Sequence, residues 1–462
     1  MERYVLSNQL TGIASRAICT DLLRDLWHSF CYHCSEIKLQ PVNETVFTVG
    51  DCAAMAIPTG KHYSIHATER GICVAAVDDK SLAQGVLEML RSVKIAAESG
   101  KTVLYVEACQ RYDSMAVDLR MIHFCIFPET SFEYIRKAIR FAATLQYTHV
   151  VLEFWGMFPF RCMKELAWPC AFTPDRVKTL IREIRLLGME PIPMLNHLGH
   201  ASACRIISGK HVVLDQDPSK ATLFSPDGWC WNIDNPEVRS LLRAVRTELL
   251  EVFGPCDYFH LGVDEAYQYG REFALAKSMT DFLVETCNEL LDQGCRPILW
   301  GDMWLSHETL GTDRKEYTCN CHDQRIADML FASLDRRVII ADWQYKPSED
   351  PIYRTTEYFK KLGFDVLICP WRNIDGIRQC VKTAKAIEGV GIMETTWHTL
   401  AEGWQKIYAV SELCRENADD ICCISNVGQA ASATLLRRVT TEPRSYENCG
   451  WSKNQILLDS PT

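Results

Sequence analysis

The feature that most constrains this chain is an alternation that starts near residue 114 and runs for roughly 300 residues. Eight short apolar segments are separated by longer stretches with helical periodicity. The strand-like segments are "MAVDL" (115–119), "THVVLEF" (148–154), "MEPIPML" (189–195), "YFHLGV" (258–263), "RPILW" (296–300), "RVIIAD" (337–342), "DVLICP" (365–370) and "GIMETTW" (391–397). Two of the intervening helices announce their starts. Thr173 and Asn235 are capping residue types, and each is followed by a proline suited to the first helical position. Gly188, Gly254 and Gly294 fall where helices should stop.

Eight strand–helix units of this size predict an α/β chain closed into a (β/α)8 TIM barrel. An open doubly wound sheet is the competing arrangement, but it more often carries a glycine-rich phosphate loop after its first strand, and "DLRMIHF" is no such loop. Residues 1–110 read as a small N-terminal α/β domain. "HYSIHATERGICVAAVDD" looks like two strands around a turn, and "SLAQGVLEMLRSVKIAAES" like an amphipathic helix. Residues 111–462 are then the barrel with a C-terminal helical extension.

Composition narrows the partners. A formal net charge of -10 argues against an electrostatic grip on nucleic acid or anionic lipid. No run is apolar and long enough to span a bilayer, and no signal-type leader is seen, so the expected location is cytoplasmic. In that setting the 22 cysteines are expected as reduced thiols that behave as small buried hydrophobes. Cys31 with Cys34, Cys319 with Cys321 and His322, and Cys422 with Cys423 form clusters, but none has paired C-x2-C spacing for zinc. No cofactor and no metal are therefore expected, and a homodimer is left open.

A barrel puts its chemistry at the C-terminal ends of the strands. Asp118, Glu153, His197 and His200, Asp264 and Glu265, Trp300 and Asp302, Asp342 and Trp343, Trp371, and Trp397 with His398 are all expected there. The fourth strand is the sharpest case. In "DYFHLGVDEAYQYG" (257–270), Phe259, Leu261 and Val263 alternate with His260, Gly262 and Asp264, and Glu265 follows directly. The first set should face the helices and the second the barrel axis. Two adjacent carboxylates in different surroundings can hold different pKa values, one ionised and one kept as an acid.

"HLGVDE" (260–265) resembles the H-x-G-x-D-E signature of glycoside hydrolase family 20, the β-N-acetylhexosaminidases. "VVLEFWGMFPF", "FTPDRVKTLIREIRLLGMEPIPMLNHLGHA", "WNIDNPEV", "ILWGDM" and "GIMETTWHTL" follow the family's order and are most similar to its cytoplasmic, hexosaminidase-D-like branch. The resemblance spans about residues 114–400. It implies a retaining exo-hydrolase acting on oligosaccharides with a terminal N-acetylhexosamine by substrate-assisted catalysis. Asp264 would hold the acetamido N–H and Glu265 would be the acid and then the base. It further implies aromatic walls at Trp300, Trp343 and Trp397, with Trp371 as another aromatic contact. Tyr345 would donate to the acetamido oxygen. His200 would lie near the acid, and Asp302 and Glu153 would contact or support the sugar. Two departures stand out. The family's arginine before the first strand has no counterpart at its spacing, where Asp113 stands between Arg111 and Arg120. The family's acidic run after the second strand reads "EFWG", with Trp155 in place of a carboxylate.

Two other functions compete. A metal-dependent barrel hydrolase would use His197, His200, His260 and an aspartate as ligands, but lacks an H-x-H after the first strand, where only His123 is offered. A non-catalytic glycan-binding relic would have no need of the Asp264–Glu265 pair.

Overall fold

In the computed structural model the alternation closes on itself. The structure describes residues 3–6, 10–11, 45–49, 56–68, 71–98, 101–202, 213–311, 316–418 and 426–439. The eight parallel barrel strands are β1 (Arg120–Ile126), β2 (His149–Phe154), β3 (Glu190–Met194), β4 (Tyr258–Gly262), β5 (Arg296–Trp300), β6 (Ile339–Trp343), β7 (Asp365–Cys369) and β8 (Val390–Thr395). They pair in sequence order, and β8 closes onto β1. Each is followed by a helix of the outer shell: α1 (Phe132–Thr144), α2 (Pro174–Leu186), α3 (Pro236–Phe253), α4 (Ala276–Asp292), α5 (Gln324–Ser333), α6 (Arg354–Lys361), α7 (Ile374–Ala386) and α8 (Trp404–Leu413).

The helix starts follow the capping logic. The Thr173 hydroxyl accepts from the Arg176 N–H and the Asn235 side-chain amide oxygen from the Glu237 N–H, each ahead of a proline. Gly254 ends α3 with φ of 72°, a conformation that favours glycine. Side chains divide by strand parity. Phe259, Leu261 and Val263 join the apolar layer between barrel and helices. Met121, Val151, Ile192, Met194, Ile298 and Met393 fill the interior. Burying each such side chain contributes about 1.5–3 kcal/mol. The interior is therefore a packed plug, against whose lower end Tyr258 packs, with His149 edge-on to it at 5.2 Å.

β1 corrects the sequence reading. The first strand is not "MAVDL" but the next segment, all seven of whose residues are buried. Its neighbours cover both faces, so it lacks the period-two signal of a half-exposed strand. Asp118 consequently precedes β1 at the base of the barrel, exposed and far along the strand from the mouth.

The N-terminal segment supplies a five-stranded sheet and a three-stranded sheet. The expected hairpin is present as Tyr63–Thr68 paired antiparallel with Gly71–Ala76. The helix after it ends at Ser92, earlier than its periodicity suggested, and Lys94–Glu98 continues as a strand. Arg111 lies exposed in the sheet strand Cys109–Tyr112. The 79–92 helix packs on α1 and α2 at the barrel's base. There the guanidinium of Arg415 pairs with Glu88 at 2.9 Å and Glu412 at 3.0 Å, and Arg91 also pairs with Glu412. Arg120 is buried at the same end, donating to the backbone oxygens of Gln146 (2.8 Å) and Asp118 (3.0 Å).

Among the described residues no helix is long and apolar enough to cross a membrane. Thirteen of the described cysteines are free thiols. Cys73 is disulfide-bonded, contrary to the expectation that all would be reduced. Cys31, Cys34, Cys422 and Cys423 lie outside the described residues.

Candidate active site

The mouth of the barrel is organised by the end of β4. The ladder to β5 shifts register between His260 and Gly262. Gly262, Val263 and Glu265 then take φ of 69°, 73° and 48°. For the two that are not glycine, the left-handed region is unfavourable by about 1–2 kcal/mol each. A neighbouring side chain holds the irregular turn: the Asn196 amide oxygen accepts the Val263 N–H at 2.9 Å. That oxygen occupies the place of a β-carbon on residue 262, since one built there would lie 1.4 Å away. Glycine in "HLGVDE" is thus required by its neighbour as well as by its φ. Gly199 serves the facing loop similarly, because a β-carbon there would approach the Asp264 backbone oxygen to 2.2 Å.

This turn sets two carboxylates side by side in unequal surroundings. Asp264 is buried, whereas the Glu265 side chain keeps 30% exposure, enough for solvent or a ligand to reach it. His200, itself left-handed at φ 56°, bridges them: its Nε2 stands 3.3 Å from Asp264 and 3.2 Å from Glu265. The peptide of Glu265 is gripped at both ends. Its N–H donates to Asp302 at 3.0 Å, and its carbonyl oxygen accepts from the Trp229 indole at 2.7 Å and the Tyr267 N–H at 2.8 Å.

Asp302 is the hub of this network. Its carboxylate also accepts from the Asn320 amide (2.8 Å) and the Trp343 indole (3.0 Å). Burial, followed by the charge of Asp264, pushes its pKa up to about 7, while the N–H donors pull the other way. The Glu265 backbone and the aromatic wall of β6 are therefore fastened to one buried carboxylate.

The wall continues around the rim. The Trp343 and Tyr345 rings lie 4.8 Å apart, and Trp371 meets Tyr345 edge-on at 5.1 Å. The Trp397 indole donates to the Tyr345 hydroxyl at 2.7 Å. Burial pushes the Tyr345 pKa well up, helped by Cys369 and then by Asp264, while hydrogen bonds with Trp397 and Thr395 pull the other way. Trp300 is placed differently: at 0% exposure it forms the floor beneath Trp397 (5.6 Å) and beside His260 (4.5 Å).

Glu153 is also on the floor. Its carboxylate meets His123 Nε2 at 3.0 Å and the Cys125 thiol at 3.3 Å, and His123 stands edge-on to Trp397 at 5.0 Å. These three side chains are the one set of metal-type donors that converge among the described residues, within 4.8 Å. His123 Nε2 and the Cys125 thiol share one oxygen of the Glu153 carboxylate, Oε2. The histidines named for a metal-dependent hydrolase do not converge. His197 is turned to the Leu195 carbonyl at 2.7 Å, and burial lowers its pKa to about 3. His260 accepts the Gly262 N–H at 3.0 Å.

Several sequence expectations thus meet at the mouth: Asp264, Glu265, His200, Asp302, Trp343, Tyr345, Trp371 and Trp397. Others do not. Asp342 sits one residue out of phase with Trp343 and faces α6, where it accepts from Thr355 and Thr356 at 2.7 Å each. His398 is exposed. Neither Arg111 nor Arg120 reaches the mouth. One arginine at the rim is Arg372, whose guanidinium lies 4.9 Å from the Trp371 ring and 3.6 Å from Glu402. Asn196, Trp229 and Tyr267 were not anticipated. Asn196 and Trp229 act from loops outside the fourth-strand motif, and only Tyr267, two residues beyond Glu265, carried a positional hint.

No family model matches this chain, and no curated protein matches it. The fold does have solved counterparts. The chain aligns with a chitobiase from Flavobacterium johnsoniae at a TM-score of 0.65 and 13% identity, covering 96% of this chain and 71% of that one. It aligns with a glycoside hydrolase family 20 β-N-acetylglucosaminidase at a TM-score of 0.61 and 14% identity, over 96% of both chains. The N-acetyl-β-hexosaminidase of Streptomyces plicatus, in complex with Thio-NAglucal, aligns at 0.62 and 14%, over 95% of this chain and 92% of that one. At such identities the likeness is one of architecture: a (β/α)8 barrel with an N-terminal sheet domain.

Proposed function

We propose that the chain is a retaining exo-β-N-acetylhexosaminidase that releases terminal β-linked GlcNAc or GalNAc from oligosaccharides, with the substrate's acetamido group as nucleophile. The observation that carries this reading is the pairing of a half-exposed glutamate with a buried aspartate through His200 (3.2 and 3.3 Å), beside the Trp343–Tyr345–Trp397 wall. The solved family 20 enzymes that share the architecture support it.

In this mechanism the acetamido oxygen attacks the anomeric carbon while Glu265 gives its proton to the departing glycosidic oxygen. Asp264 accepts the acetamido N–H and offsets the positive charge growing on that group. Tyr345, whose oxygen already accepts from Trp397, directs its proton at the acetamido oxygen. Ionised Glu265 then takes a proton from water, which opens the oxazolinium ring at the anomeric carbon and restores the β configuration. Trp343 and Trp397 supply flat apolar faces for the sugar and its methyl group, with Trp300 supporting Trp397 from below. Glu153 with His123 offers the floor's polar contacts. The chain's place in the hexosaminidase-D-like branch and a cytoplasmic location belong to the same proposal.

The test is a panel of 4-methylumbelliferyl β-hexosaminides with and without the 2-acetamido group. Turnover confined to acetamido sugars, with competitive inhibition by a thiazoline analogue of the intermediate, is expected. Equal turnover of plain glucosides would remove the neighbouring-group mechanism.

A further inference from the structure

We propose that Trp229, in the loop between β3 and α3, is a positioning residue that holds the acid Glu265 in its working conformation; this rests on the hexosaminidase reading above. Three contacts converge on this one side chain and its backbone. The indole N–H donates to the Glu265 carbonyl at 2.7 Å. The ring lies against His200, with centroids 4.3 Å apart, and His200 is the group that touches both carboxylates. The Trp229 carbonyl accepts the N–H of Ala201, one residue beyond His200, at 2.9 Å.

Glu265 needs such support. Its φ of 48° is a conformation that a residue with a side chain leaves unless neighbours hold it. Asp302 secures the N–H side of the residue, and Trp229 with the Tyr267 N–H secures the carbonyl side. A tryptophan beside a glycosidase acid invites reading as a sugar platform, but the surroundings of this ring point elsewhere. Its indole is packed against His200 and lies nearly parallel (13°) to Tyr267 at 6.3 Å, while its one polar atom is committed to the acid's backbone. The loop is itself pinned, with the Trp229 N–H donating to Asp227 at 3.0 Å and the Ser202 N–H donating to the Gly228 carbonyl at 3.1 Å. Trp229 therefore joins the β3 loop, which carries the histidine, to the β4 turn, which carries the acid.

A displaced proton donor matters in proportion to how badly the leaving group needs a proton. Trp229→Phe keeps a ring against His200 and deletes the N–H. Across full-length native and variant protein, kcat/KM is measured on aryl β-N-acetylhexosaminides from 2,4-dinitrophenyl, which departs unaided, to phenyl, which does not. The expected result is a loss of at least about tenfold on the phenyl substrate and less than about threefold on the dinitrophenyl one. The ratio is internal to each preparation, so a smaller folded fraction does not alter it. Proportional loss on both substrates, or no loss on either, overturns the positioning role. Should Trp229→Phe not fold, Trp229→His, which keeps a ring N–H, reverses the test: a ratio within about threefold of native supports the role, and a tenfold fall overturns it. A native protein that cleaves none of the series overturns instead the hexosaminidase reading, and the positioning role with it.

Discussion

The two ends of the barrel handle charge in opposite ways. At the base, Arg415 and Arg91 are set between Glu88 and Glu412, and Arg120 closes backbone carbonyls. Opposite charges meet and buried acceptors are answered by donors, an arrangement that favours stability. At the mouth, Asp264, Glu265 and Asp302 crowd together, with one histidine between two of them and neutral N–H groups around the third. Burial and like charge raise the Asp302 pKa to about 7. Unfavourable backbone is concentrated there too. Of the six non-glycine residues with positive φ among those described, His200, Val263, Glu265, Arg372 and Trp397 follow barrel strands, and only Gln146 lies at the base. The lesson is a division of labour: the base holds the ring closed so that the mouth can keep groups in states they would not choose alone.

The contrast can be broken most severely at Glu265, the proposed acid. Glu265→Gln should lower kcat on unactivated glycosides roughly 100- to 10,000-fold without changing the melting temperature, read by steady-state kinetics and calorimetry. A variant with native kcat would remove Glu265 from the chemistry. Asp264→Asn should cost about 100- to 1,000-fold, and thiazoline affinity should fall with it. Undiminished inhibitor binding would mean that Asp264 does not face the acetamido group.

Asp302→Asn tests the hub. An amide cannot accept three N–H bonds, so kcat should drop roughly tenfold while KM changes little. The same variant tests a sign. Because the native carboxyl titrates near 7 and its ordinary value is 3.8, the folded protein holds the extra proton across that window. Stability from this group therefore falls as pH rises from about 4 to 7. Urea unfolding of native protein and variant at about pH 5 and about pH 8 should show that this component of the slope is lost with the carboxylate. An unchanged slope would mean that Asp302 is ionised throughout. The smallest catalytic effect belongs to the base. Arg415→Ala should cost about 3–5 kcal/mol of stability by leaving Glu88 and Glu412 under-compensated, and leave kcat unchanged at a temperature where the protein is folded. A change in kcat would show that the two ends are coupled.

Much of this was readable from residues alone, for identifiable reasons. The parity of β4 was legible because its outer face is uniformly apolar and its inner face polar or small, and Thr173-Pro174 and Asn235-Pro236 behave as caps because capping is local. β1 was misread because a strand buried on both faces has no alternation to display, while "MAVDL" imitates one. Asp342 was misassigned by a single step of parity, which carries a side chain from axis to helix shell. Trp229 and Asn196 were invisible because their roles arise from loops meeting in space: one replaces a β-carbon that Gly262 lacks, the other answers a carbonyl 36 positions away.

The grip on the Glu265 peptide has a practical corollary. Its backbone is fixed by Asp302, Trp229 and the Tyr267 amide rather than by its own carboxyl group. Under the proposed mechanism, exchanging that carboxyl for an amide should thus yield a catcher that keeps the native shape around an uncleaved glycan. Immobilised on beads and washed with cell extract, it would fish out the natural sugar chain for mass spectrometry.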